Sequence, residues 1–237
     1  MHKIHLYLFT LLLAFAACTP SKDSSQTLDN VADETAITFN DSIAMPLGYS
    51  ILADTVGDLD GDLINERALI FNTDRTGEMG VERELKLYKN DGSSWKLWHS
   101  STGIVLPSEN GGVMGDPFSI LSIDSGKLQI EHFGGSRSKW IYLHSYQYLQ
   151  DNWVLSNANI SLGTPCEYWE TFEYNLVSGK VIYTKNEEDC DSEEEYNSKQ
   201  VDRKTISLKV ANLPKMDDIM IGENKVTLPK INNTFYY

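Results

Sequence analysis

Residues 141–162 read IYLHSYQYLQDNWVLSNANISL, and they carry the clearest sequence evidence for the fold class of the chain. Apolar or aromatic side chains alternate with polar ones on both sides of Gln150-Asp151-Asn152, three residues that favour turns. Alternation with a period of two places successive side chains on opposite faces of a strand. The stretch therefore predicts two strands, Ile141–Leu149 and Trp153–Leu162, joined by a tight turn.

The same alternation recurs along the chain from about Met45 onward. The further predicted strands are Gly48–Val56, Arg67–Asn72, Val81–Lys89, Trp95–Ser100, Ser119–Ile123, Lys127–Phe133, Tyr168–Asn175, Lys180–Lys185 and Ile206–Ala211. Residues 214–237 fit either a short helix at Met216–Met220 or extended chain. Because no stretch of the body has a long helical face, we expect an all-β domain over residues 45–237. Its expected form is a mostly antiparallel sandwich or a barrel-like meander of hairpins.

Composition limits the classes of function. The chain has 237 residues, of which 41% are hydrophobic, and this suits one domain with tails. Its formal net charge is −14 and its pI is near 4.7. Nucleic acids bind basic surfaces, so this charge argues against a nucleic-acid partner.

The N-terminus has the pattern of a secretion signal. Lys3 precedes an apolar run, Ile4–Ala17, that is too short to span a bilayer comfortably. The end of this run, Phe15-Ala16-Ala17-Cys18, resembles the lipobox of bacterial lipoproteins. That resemblance implies acylation of Cys18 and attachment to a membrane through the lipid. The alternative is ordinary secretory cleavage after Ala17, with Cys18 left as a thiol.

We interpret residues 1–17 as a lipoprotein signal peptide and residues 18–44, rich in Ser, Thr and Asp, as a flexible lipidated tether. Residue 19 is Thr rather than Asp, and by the same resemblance this implies sorting to the outer membrane. We therefore expect a bacterial cell-envelope protein that faces the periplasm or the cell surface.

Residues 58–66, DLDGDLINE, form an acidic loop between two predicted strands. Ca²⁺ takes six to eight oxygen ligands at about 2.3–2.6 Å, and carboxylates at alternate positions of a tight loop can all point inward. Without a cation these carboxylates repel one another. The predicted ligands are Asp58, Asp60, Asp62, the backbone carbonyl of Ile64, and Glu66. The alternative is a solvated acidic turn.

Residues 56–62, VGDLDGD, resemble the calcium loop of FG-GAP and VCBS-type repeats. The resemblance implies one Ca²⁺ that holds two strands together. Such loops usually carry Gly at the position of Leu63. A looser likeness to bacterial lipoproteins of unknown function takes in residues 111–118, GGVMGDPF, and 132–137, HFGGSR. Because the loop motif occurs once, a complete propeller is not expected.

Cys166 and Cys190 are the two cysteines outside the N-terminal segment. Their midpoint, residue 178, falls in the turn expected at Val177-Ser178-Gly179. If the ladder of that hairpin extends outward, the two cysteines lie nearly opposite each other. In an oxidising compartment this predicts a disulfide, and the alternative is two free thiols.

Catalytic motifs are missing from the sequence. His99, His132 and His144 do not have metal-site spacing, and neither a nucleophile elbow nor a phosphate loop occurs. The residues that an envelope hydrolase could use lie within 131–138 and are Glu131, His132, Arg137 and Ser138.

Aromatic side chains are dense over residues 140–174. Their period-two placement puts most of them in a core, and a minority could form a stacking platform for glycan. The sequence thus predicts a non-catalytic, lipid-anchored binding or assembly module with an unidentified protein or glycan partner. The alternatives are a carbohydrate-binding module on strands 140–174 and an envelope hydrolase.

Overall fold

The computed structural model describes residues 43–190, 197–229 and 233–237, all within one compact unit. These residues form thirteen strands and one turn of 3₁₀ helix at Met216–Asp218. The strands are β1 Ser50–Gly57, β2 Glu66–Gly77, β3 Gly80–Asn90, β4 Trp95–Thr102, β5 Phe118–Asp124, β6 Lys127–Gly135, β7 Lys139–Leu149, β8 Asn152–Thr164, β9 Tyr168–Asn175, β10 Lys180–Asp189, β11 Asn197–Ser207, β12 Lys225–Leu228 and β13 Asn233–Tyr236. The predicted signal peptide, Cys18 and nearly all of the predicted tether lie outside the described residues.

The strands make three antiparallel sheets, and the all-β prediction is confirmed. The first sheet has the order β1-β2-β3-β4, the second β11-β10-β9-β8-β7-β6-β5, and the third pairs β12 with β13. Both large sheets are open, so the sandwich and not the closed barrel describes the fold. Buried side chains from both large sheets belong to one hydrophobic core. Within the described ranges, no helix has the length and hydrophobicity needed to cross a membrane.

The predicted hairpins form where turn residues separate two alternating runs. In the β7–β8 hairpin, Gln150 and Asp151 have φ values of 50° and 61°, as a two-residue turn of the primed type requires. The strand predicted at Ile206–Ala211 is wrong beyond Ser207, because β11 ends there and runs back to Asn197. This edge strand is almost entirely exposed and mostly polar or charged, so it lacks the apolar alternation that marks buried strands.

A crossing segment, residues 103–117, carries the chain from the first large sheet to the second. Its Gly111 accepts a hydrogen bond from the backbone N–H of Gly135 at 2.9 Å, and Pro117 accepts one from Phe133 at 2.8 Å. The two glycine-rich segments singled out in the sequence therefore lie against each other. A Cβ on Gly111 would come within 2.3 Å of the carbonyl oxygen of Gly115, so the turn requires glycine there.

The β9–β10 hairpin carries the predicted disulfide. Its ladder runs from the pair Asn175–Lys180 to the pair Tyr168–Glu187. Just beyond that end, Cys166 and Cys190 are joined, with their Cα atoms 5.1 Å apart. The disulfide prediction is confirmed.

The β12–β13 hairpin closes one part of the core. Phe235 is fully buried and stacks on Phe172 of β9, with ring centroids 4.6 Å apart. Tyr237 is also buried and meets Tyr174 edge to face at 6.2 Å. Residues 214–237 are compatible in sequence with either a short helix or extended chain. Their described part contains one 3₁₀ turn followed by the two strands β12 and β13.

Candidate functional site

The acidic loop joins β1 to β2 at one end of the four-stranded sheet. The last ladder pair of these strands is Gly57 with Glu66, so residues 58–65 project beyond the sheet. Glu66 is the first residue of β2 and is 1% exposed. The loop thus brings partly exposed carboxylates next to a buried one.

Backbone hydrogen bonds to aspartates shape the loop. Asp58 accepts from the backbone N–H of Gly61 at 2.7 Å and from that of Leu63 at 3.1 Å. Asp62 accepts from the backbone N–H of Ile64 at 2.7 Å. Leu63 has a φ of 68°, in the left-handed region, at the position where the resembled loops carry glycine.

Three of the predicted ligands converge. One carboxylate oxygen from each of Asp58, Asp60 and Glu66 lies within 4.8 Å of the others, so the group can hold a metal ion. We call these three residues the acidic triad. Asp62 is not in the triad. Its carboxylate accepts a hydrogen bond from the backbone N–H of Ile64, a residue that is half exposed.

Glu66 is the buried member of the triad. Its Oε2 accepts a 2.7 Å hydrogen bond from the backbone N–H of Leu59, which is also buried. Burial raises the pKa of Glu66, and although the Leu59 hydrogen bond opposes this, the charges of Asp60 and Asp62 add to it. A cation beside Glu66 would favour its ionised form.

Lys89 is the residue at this site that sequence reasoning missed. Its ammonium group donates a hydrogen bond to Oδ2 of Asp60 and lies 4.2 Å from the ring centroid of Trp98. The hydrogen bond from Lys89 lowers the pKa of Asp60, against the effect of partial burial. The two residues are 29 positions apart, but Lys89 ends a predicted strand and Asp60 lies in a loop flanking the neighbouring one. Their common position at one end of the predicted sheet was the sequence feature from which this contact could have been predicted.

The hydrolase candidates point in different directions. Glu131 accepts a 2.9 Å hydrogen bond from the hydroxyl of Ser119 on the neighbouring strand. His132 follows it on β6, so its side chain lies on the opposite face, buried, where Nε2 accepts from the backbone N–H of Leu106 at 3.2 Å. These two side chains therefore do not share one site.

The other two hydrolase candidates have structural partners. Arg137 forms an ion pair with Glu167, and Ser138 lies 3.2 Å from the hydroxyl of Thr164. The four residues of the 131–138 region do not converge as a nucleophile, base and orienting group would.

The remaining histidines differ in exposure. His144 is fully buried with both ring nitrogens unpartnered, and burial lowers its pKa to about 4. Burial likewise lowers the pKa of His132 to about 3, with smaller contributions from the charges of His144 and Arg83. His99 lies near the surface with Nε2 3.2 Å from a carboxylate oxygen of Asp217.

The aromatic strands mainly build core. Tyr146 and Tyr174 are fully buried, and Trp153 is 4% exposed. Trp98, Tyr148 and Trp153 meet edge to face or tilted, with centroids 4.8–5.7 Å apart. Over the described parts of the chain, no two exposed aromatic rings form the coplanar pair that a stacking platform would need.

A cavity of about 310 Å³ lies beside this aromatic cluster. Its wall consists of Trp98, Tyr148 and Trp153 together with the polar residues His99, Asp151, Asn152, Lys215 and Asp217. Its volume is at the lower end of the range for small-molecule sites, about 300–1,000 Å³.

The described chain thus offers one cluster of side chains that could hold a metal ion, the acidic triad, and a polar cavity next to aromatic rings. Comparisons of the chain with protein-family models, with curated proteins and with solved structures find no match.

Proposed function

We propose that the protein is a non-catalytic, lipid-anchored protein of the bacterial envelope, with one structural Ca²⁺ bound by the loop 58–66. In this proposal the β-sandwich serves as a binding or assembly module. The observation that carries the metal part is the convergence of Asp58, Asp60 and Glu66 within 4.8 Å. All three donors are carboxylate oxygens, the ligand type that Ca²⁺ prefers.

The position of the loop suits a structural ion. Asp58 and Asp60 belong to the connection between β1 and β2, whereas Glu66 belongs to β2 itself. A cation bound by all three would tie the connection to the sheet. Extracellular calcium sites have Kd values of about 10⁻⁴–10⁻³ M, and at ten times Kd the ion adds about 1.4 kcal/mol to the free energy of unfolding.

Thermal unfolding of the full-length protein tests the metal part. In millimolar CaCl₂ relative to EDTA, we expect Tm to rise by about 3–6 °C. Asp60→Ala should abolish this rise. Glu78→Ala, which removes an exposed carboxylate in the turn between β2 and β3, should keep it. If the wild type has the same Tm in CaCl₂ and in EDTA, the loop is an acidic turn and the metal proposal is wrong.

The proposed lipid anchor rests on Cys18 and the segment before it. A net charge of −14 does not favour adhesion to anionic lipid, so the acyl chains would have to supply the attachment. In a Gram-negative host, the wild type should partition into the detergent phase of a Triton X-114 extract. Cys18→Ser should move to the aqueous phase, and equal partitioning of the two proteins would refute the anchor.

A glycan-binding role is the second candidate, and the cavity beside Trp98, Tyr148 and Trp153 favours it. Aromatic rings with nearby carboxylate and amide groups suit a ligand with both C–H faces and hydroxyl groups. Titration with the N-acetylglucosamine trimer should then change tryptophan emission in the wild type. Asn152→Ala should weaken that change, whereas Asn90→Ala, at the end of β3 in the other sheet, should not.

A further inference from the structure

Lys89 reaches the acidic loop because of the register of the first sheet. Tyr88 of β3 pairs with Arg67 of β2, so Lys89 follows opposite Glu66 at the same sheet end. From there the ammonium group contacts the carboxylate of Asp60 on one side and the ring of Trp98 on the other. Lys89 is therefore a cation already seated against one member of the triad.

Lys89 and a metal ion would use the same carboxylate. Asp60 belongs to the triad, and its Oδ2 is the atom that accepts from Lys89. A divalent cation within ligand distance of Asp60 would lie a few ångströms from the ammonium group, and the two charges would repel each other. The Lys89 side chain is 39% exposed, so its flexible stem can move the ammonium group into solvent.

We infer that Lys89 competes with the divalent cation for Asp60 and thereby sets the metal affinity of the loop. This inference rests on the proposed metal site and adds a residue, from another strand, that regulates it. The loop alternates between two counter-cations: the ammonium group of Lys89 when the metal concentration is low and the metal ion when it is high.

Trp98 makes the exchange observable. With Lys89 at Asp60, the ammonium group covers one face of the Trp98 ring at 4.2 Å. Departure of Lys89 uncovers that face and changes the charge next to an indole that contacts Trp153 and Tyr148. Metal binding should therefore change tryptophan emission, and Trp98→Phe should remove most of the change.

The test is calorimetric titration of the full-length protein with CaCl₂, for the wild type, Lys89→Met and Lys96→Met. Lys96 is the matched control, because it lies directly opposite Lys89 on the adjacent strand but forms its ion pair with Asp91 rather than with the triad. Both variants lose one positive charge, so a general charge effect would alter them equally. We expect Lys89→Met to bind about tenfold more tightly than the wild type and Lys96→Met to bind as the wild type does.

The possible outcomes separate the inference from the proposed function. Equal affinity of the wild type and Lys89→Met overturns the inference and leaves the metal site standing. Binding by Lys89→Met alone supports the competition and contradicts a bound ion in the wild type. If none of the three proteins binds and their Tm values show that all are folded, both the proposed metal site and the inference fall.

Discussion

The backbone N–H of Leu59 donates a 2.7 Å hydrogen bond to the carboxylate of Glu66, and both residues are almost entirely shielded from solvent. A buried donor that loses its acceptor costs about 1–3 kcal/mol. Glu66→Ala should therefore lower the free energy of unfolding by that amount even in EDTA, as measured by urea denaturation.

Glu66→Gln is the matched comparison for this prediction. It keeps an acceptor oxygen for Leu59 and removes a buried charge that Asp60 and Asp62 disfavour. In EDTA its stability should stay within about 1 kcal/mol of the wild type, whereas any stabilisation by Ca²⁺ should be lost. Equal stability of Glu66→Ala and the wild type in EDTA would show that this hydrogen bond does not support the loop.

The two buried histidines predict a loss of stability in mild acid. Burial holds the pKa of His144 near 4 and that of His132 near 3, below the ordinary value of 6.5. Below pH 6.5 the unfolded chain takes up protons that the folded chain does not. The free energy of unfolding should therefore fall between pH 6.5 and 4.5, by on the order of 1 kcal/mol per pH unit for each histidine.

His144→Phe isolates one of these two contributions. Urea denaturation across that pH range should show about half the slope of the wild type, because one titrating group is gone. Glu66 has a raised pKa and acts in the opposite direction, but it is present in both proteins. An unchanged slope in His144→Phe would contradict the prediction.

Replacement of Leu63 by glycine should stabilise the protein. It is 90% exposed and has a φ of 68°, so its side chain contributes little packing while its backbone is strained. Leu63→Gly should raise the free energy of unfolding by about 0.5–1 kcal/mol, the relief of strain less the added chain entropy. Ile64→Gly, next to it and outside the left-handed region, should instead lose about 0.5–1 kcal/mol. Loss of stability in both variants would argue against strain at Leu63.

The disulfide should contribute measurably to the free energy of unfolding. Cys166 and Cys190 are 24 residues apart, and closing a loop of that length contributes about 3 kcal/mol in the chain-entropy account. The double variant Cys166→Ser/Cys190→Ser should lose about that amount in urea denaturation. Cys18→Ser leaves this bond in place and should have the same stability as the wild type. The double variant should have the same stability in reducing as in oxidising conditions, because it has no disulfide between these positions to lose.

Local pattern was enough for the parts of the fold made by neighbours in sequence. The β7–β8 hairpin follows from alternation on both sides of Gln150-Asp151, and the disulfide follows from symmetry about residue 178. The division into a four-stranded and a seven-stranded sheet could not be predicted this way. It depends on the crossing segment 103–117, which is held by backbone hydrogen bonds to β6, 16 to 24 residues further along the chain.

The candidate site likewise has one part that could be predicted from local sequence and one part that could not. Asp58, Asp60 and Glu66 are close in sequence, so loop spacing alone predicted that their carboxylates would converge. Lys89 comes from the next hairpin, and its position depends on the β2–β3 register and on the ring of Trp98. Charge counting within residues 58–66 cannot reveal a counter-cation supplied by another strand.

The stacking of Phe235 on Phe172 has a consequence for the timing of folding. The two rings are 63 positions apart, and the 235 ring belongs to one of the last strands of the sequence. Contacts that close long loops form slowly. Until Phe235 docks, the inner face of the seven-stranded sheet stays exposed at Phe172. A chain whose other strands have paired before β13 has docked is therefore more prone to aggregate than the folded chain.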